Sequence, residues 1–139
     1  MTPYNIRRII GWTGLILLLL LALSACSMFP STFDNQEHAR MVNIYVASLD
    51  DRVCADRAQA ADRAQAMYAD ARWLHAYGQD LPDNEPMSKM EIELVAMTRE
   101  LAERYQKPDP VSQYYCKSKF ENIRRATDTM IKASARRPR

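Results

Sequence analysis

The sequence predicts an all-α domain: a small bundle of three or four helices with a long first helix that has a point of bending, behind a cleaved N-terminal signal. Three observations carry this reading. The 139 residues include only 3 Gly, while Ala and charged residues abound, a composition of helices rather than of sheets with tight turns. Apolar residues recur at alternating spacings of four and three over most of residues 34–132. Capping residues and prolines divide those runs into segments of helix length. At this size the chain holds one core.

The N-terminus stands apart. Arg7 and Arg8 precede a mostly apolar run, Ile9 to Ala22, and the small residues Ser24 and Ala25 follow it. A charged start, an apolar centre and a small-residue cleavage site make a secretory signal over residues 1–25. The run is 14 residues long, short of the roughly 20 that span a bilayer as a helix. Leu23-Ser24-Ala25-Cys26 resembles the lipobox of bacterial lipoproteins. The resemblance implies a lipid on the Cys26 sulfur, cleavage before Cys26 and acylation of the new amine, and it covers the first 26 residues. Ser27, where the family often carries Asp for inner-membrane retention, favours the outer membrane. Several acyl chains anchor durably, at about 0.8 kcal/mol per buried methylene.

Residues 26–33 read as a lipidated tether, poor in helix formers and reaching at most about 25 Å beyond Cys26. A helix is expected from Asp34, which can cap, with Glu37 placed for a capping box. Val42, Val46, Leu49 and Val53 give its first apolar stripe; Ala60, Ala64, Met67, Ala71 and Leu74 give the second. One heptad frame joins both, but it passes through Asp56, and with Asp50 and Asp51 this marks a break near residues 50–56. ADRAQA occurs at 55–60 and again at 61–66. A six-residue shift turns a helix by about 240°, so the copies face differently.

Gly78, Pro82 and Pro86 bound the first loop, 78–87. Ser88 and Glu91 form the expected capping box of the next helix, with Met87 and Ile92 as its staple and Met90, Leu94, Met97 and Leu101 as its stripe. Asp109-Pro110 opens the last helix, whose stripe is Cys116, Phe120, Ile123, Thr127 and Met130. The helical domain is set at 34–132, and the basic residues 133–139 are expected to fray. Residues 27–109 carry 9 bases and 15 acids, and residues 110–139 carry 8 bases and 2 acids. That asymmetry reads either as solvated helix faces or as a basic segment that meets an anionic partner or lipid headgroup.

With Cys26 assigned to the lipid, Cys54 and Cys116 remain, and an even pair in an oxidising compartment favours a disulfide over two buried thiols. The bridge sets a geometric condition. A straight first helix would leave the two residues roughly 15 Å apart at 1.5 Å per residue, beyond the limit of about 7 Å between Cα atoms. The first helix must bend near residues 50–56, or the last helix must cross steeply.

No Ser-His-Asp, Cys-His or HExxH arrangement is present, and His38 and His75 are isolated, so no catalytic residue, metal site or cofactor is expected. Tyr68, Trp73, Tyr77, Tyr105, Tyr114 and Tyr115 line either a core or a partner groove. The envelope compartment disfavours nucleic acid as a partner. Cys54, the stretch Leu101 to Tyr105, the Pro-containing turn and Cys116-Lys117-Ser118-Lys119-Phe120 resemble the all-helical pilotins of type II secretion. The likeness covers about residues 101–131 plus Cys54, and the duplicated first helix and basic tail depart from it. It implies a disulfide between Cys54 and Cys116, and an outer-membrane, periplasm-facing lipoprotein that binds a helical tail of a secretin subunit. The expected function is a non-catalytic binding or assembly factor for a secretion or transfer machine; the other reading is a structural or protective surface lipoprotein, such as an exclusion factor or an envelope-enzyme inhibitor.

Overall fold

The computed structural model describes residues 31–139. The signal at 1–25, the lipidation site Cys26 and the first half of the expected tether lie outside the described residues. Helix α1 is Asn35–Leu49, a short 3₁₀ turn is Asp51–Ala55, and helices α2, α3 and α4 are Arg57–Gly78, Glu85–Gln106 and Gln113–Ala135. There is no strand among the described residues.

The helices form an antiparallel four-helix bundle in which each packs beside two neighbours. Arg40 reaches Asp70 and Arg63 reaches the Ala47 carbonyl, so α1 and α2 run in opposite directions. Arg57 donates to the carbonyls of Tyr105, Lys107 and Asp109, holding the start of α2 against the end of α3. Lys119 pairs with Glu100 across α3 and α4. His38 meets Ser134 at 3.3 Å, which closes the square between α1 and α4. Arg57 and Arg63 are the arginines of the two ADRAQA copies, and they serve different neighbours because the copies face differently.

Every helix buries one stripe at spacings of four and three, the narrow seam of a bundle. In α2 it is Ala60, Ala64, Met67, Ala71 and Leu74, and in α4 Cys116, Phe120, Ile123, Thr127 and Met130, as the periodicity predicts, and each stripe runs one turn further than expected, to Gly78 and Ser134. The small residues of α2 let its neighbours approach, and larger side chains such as Phe120 and Met67 fill the centre.

The phase of the other two helices is corrected. The buried stripe of α1 is Glu37, Met41, Ile44 and Ser48. Val46 and Leu49, expected inside, are 55% and 47% exposed. Helix α3 buries Met87, Glu91, Leu94, Thr98, Leu101 and Tyr105, so Met90 and Met97 stand one residue off the core line, and Ile92 faces solvent instead of stapling. Both errors have one cause: polar residues occupy core positions and apolar ones stand beside them. Thr98 and Thr127 are tolerated there because their hydroxyls donate to carbonyls one turn back, Leu94 at 2.8 Å and Ile123 at 2.6 Å.

The helix ends also move. Asp34 caps α1 by accepting from the amides of Gln36 and Glu37, but Glu37 turns inward rather than back to complete a box. Helix α3 starts at Glu85 after Asn84, with Pro86 in its first turn, and Ser88 lies inside it. Ser112, not Asp109, caps α4. Asp56 caps α2 with bonds from the amides of Ala58 and Gln59, so the chain breaks where the acids predict. The break brings Cys54 and Cys116 to a Cα separation of 5.8 Å, joined sulfur to sulfur. The pair staples the turn between α1 and α2 to the first turn of α4, at one end of the bundle.

At the other end the expected boundaries are too tight on both sides. Ser31 is buried, and the Phe33 amide donates to the Pro138 carbonyl at 2.8 Å, so the domain takes in part of the expected tether. The basic tail does not fray. Helix α4 continues to Ala135, and the Arg137 side chain is only 9% exposed, paired with buried Glu37. That pairing removes a buried charge from isolation, which is what holds the tail down.

Candidate functional site between α3 and α4

A shallow groove runs along the seam of α3 and α4. Beside the first turn of α3, a cavity of about 200 Å³ is lined by Ser31, Pro86, Met87, Met90, Ala133 and Arg137, together with Asp83. One turn further along, a second of about 150 Å³ lies between Met90 and Glu93 of α3 and Ala126, Thr129 and Met130 of α4. Met90 lines both, so the two hollows adjoin as a methionine-lined track along the seam. Its floor is methionine, and its α4 wall is built from the small side chains of Ala126, Thr129 and Ala133. Unbranched thioethers adapt to the shape of an apolar guest, and small wall residues leave room for one. Helical spacing accounts for the track: Met87, Met90 and Glu93 fall on consecutive turns. Further along the same seam, Glu100 takes Lys119 at 2.7 Å and the Tyr115 hydroxyl at 3.3 Å. Lys119 comes first among the influences holding the Glu100 carboxyl below the ordinary carboxylate range.

Beneath the Ser31 end lies a buried polar layer. Glu37 and Glu91 are both fully buried. Glu37 accepts from Arg137 at 2.5 Å and from the Asn84 amide at 3.0 Å. Asn84 also donates to the Gly78 carbonyl at 3.0 Å and accepts from Arg137 at 2.7 Å. Glu91 is different: neither of its oxygens receives a hydrogen bond. The His75 ring nitrogen Nδ1 stands 3.6 Å away, beyond hydrogen-bonding reach. Burial pushes the Glu91 carboxyl up to about 8, and the charge of Glu37 adds to the effect. A proton on Glu91 removes the repulsion between its carboxyl and that of Glu37.

Gly78 belongs to this layer. A Cβ there would stand 2.4 Å from a Glu91 oxygen, so the space is taken by the carboxyl, not required by the backbone angle. The expected result is that Gly78→Ala lowers stability in the wild-type chain. In a Glu91→Ala background, where the space is free, the cost of Ala at position 78 should disappear. Urea unfolding of the four chains of this cycle checks it.

The other residues singled out in the sequence do not gather at one place. Trp73 stacks on Tyr77 at 4.8 Å and lies under Arg40 at the α1–α2 edge, where Tyr77 donates to Asp34. Tyr105 is in the core, Tyr68 is half-buried against it, and Tyr114 is 84% exposed. Tyr115 alone reaches the α3–α4 seam. His75 sits between α2 and the polar layer, and His38 on the α1–α4 side. The sequence reading missed Glu37, Asn84, Glu91 and Arg137 as a unit. A signal was present: Glu37 and Glu91 sit at core positions of true heptads, but only after those heptads are correctly phased. Comparison with protein-family models, curated proteins and solved structures gives no match.

Proposed function

We propose that this is a lipid-anchored protein of a bacterial outer membrane that acts without catalysis, as a pilotin-like binding or assembly factor for a secretion or transfer machine. The observation that supports the binding role is the methionine-floored track between α3 and α4. An amphipathic helical tail of an envelope protein, such as a secretin subunit, is the guest that suits it, because such a helix inserts apolar side chains at successive turns. The lipobox-like Leu23-Ser24-Ala25-Cys26 supplies the address. Cys26 is five residues from Ser31, which lines the track, and five residues reach at most about 17 Å. The track would then open close to the membrane to which the partner is delivered.

The test places a photo-crosslinking residue at position 90 of the full-length chain in the envelope, with position 46 on the outer face of α1 as control. Position 90 should capture a component of a secretion or transfer machine, and Met90→Glu should reduce its co-isolation at least tenfold. Equal capture from positions 46 and 90, or none of a machine component from position 90, would remove the support for this reading.

A further inference from the structure

We infer that residues 136–139 form a proton-controlled latch over the end of the α3–α4 track, closed while the buried Glu37–Glu91 pair holds a proton and released when it loses it. The structure supplies each part. The strap is short and held at few points: Arg137 to Glu37 and Asn84, the Pro138 carbonyl to the Phe33 amide, the Arg136 and Arg137 amides to the Ala133 and Ser134 carbonyls, and the Arg139 guanidinium over the Phe33 ring at 5.5 Å. Arg137 lines the larger hollow of the track as well as capping the polar layer, so one side chain couples the two.

The groups facing Glu91 come from every neighbouring element. Glu37 comes from α1, His75 from α2 and Arg137 from the strap, while Asn84, from the turn before α3, bonds both Glu37 and Arg137. With a proton on Glu91, the layer holds one carboxylate and one guanidinium and is neutral. Without it, two buried carboxylates share one guanidinium, and neither oxygen of Glu91 has a donor. Water is the missing donor, and lifting the strap admits it. Arg137 attracts an ionised Glu91 and so opposes release, whereas the burial of both Glu91 oxygens without a donor favours it. Opening relieves desolvation, so loss of the proton and opening favour each other. The inference rests on the groove reading only for what release uncovers; the opening itself is read without any partner.

Amide hydrogen exchange on the full-length chain tests it. The Phe33 amide reports the strap, and the Phe120 amide, deep in α4, reports global unfolding. The Phe33 protection factor should fall at least tenfold between about pH 5 and pH 8, while Phe120 stays at least a hundredfold better protected. In Glu91→Gln the Phe33 value should be flat. His75 and His38 remain in that variant, so a dependence carried by either would survive in it. In Arg137→Gln the Phe33 amide should be unprotected at every pH while Phe120 stays protected. A flat wild-type profile, an equal slope in Glu91→Gln, loss of Phe33 protection only together with Phe120, or a protected Phe33 in Arg137→Gln would each overturn the latch.

Discussion

Opening the Cys54–Cys116 bridge should lower the stability of the domain by about 4 kcal/mol. The two cysteines are 62 residues apart in sequence, so the bridge closes a long loop and removes much of the freedom of the unfolded chain. A domain of this size has a total stability on the order of 5–15 kcal/mol. Loss of the bridge should therefore move the thermal midpoint down by on the order of 20 °C. The local consequence follows from position. Cys54 sits in the 3₁₀ turn and Cys116 in the first turn of α4, so the bridge ties the α1–α2 break to the far helix. Both residues are buried in the core, and replacing both with Ala removes the bridge without leaving a lone buried thiol at either position. Thermal unfolding of the double Ala chain, and of wild type with and without reductant, checks the size. Superimposable curves with and without reductant would contradict it.

Replacing Glu91 with Gln should stabilise the domain at pH 8.5 by on the order of a few kcal/mol and change little at pH 5. In the folded chain the Glu91 carboxyl is raised from 4.5 to about 8, by burial first and by the charge of Glu37 second. The folded state thus keeps a proton that the unfolded chain has given up across that interval. Its contribution is fully present below about pH 4.5 and is lost as pH rises through about 8. A Gln at position 91 carries no charge at any pH, so the wild-type slope should vanish in the variant. Denaturant midpoints at pH 5, 7 and 8.5 for both chains measure this. A wild type that gains stability from pH 5 to 8.5 while the variant does not would reverse the sign of the argument.

These two features were not equally legible in the sequence. The disulfide condition could be written down beforehand, because Asp50, Asp51 and Asp56 announce the break and helix geometry does the rest. Helices α2 and α4 were readable in phase because their core positions are nearly all small or apolar. In α1 and α3 the cue was misleading. Glu37, Ser48, Glu91 and Thr98 hold core positions, and the apolar Val46, Leu49, Met90 and Met97 stand off them, so periodicity selected a neighbouring face. The same cue conceals the groove, since Met90, which lines both hollows, falls on the expected core stripe. The strap was hidden for a different reason. Its anchors are 100 and 53 residues away in the chain, Glu37 and Asn84, and no local pattern joins Arg137 to either. A basic, Pro-containing terminus looks alike whether or not a buried carboxylate awaits it.

The stability slope and the latch both depend on Glu91 holding a proton beside Glu37. Carbon-13 NMR titration of the side-chain carboxyls measures that most directly. The Glu91 resonance should move with a midpoint near 8, well above the ordinary carboxyl value of 4.5. It should lose that displaced midpoint on urea unfolding. A Glu91 resonance in the folded chain that titrates near 4.5 would show the carboxyl ionised at neutral pH, and would contradict the account.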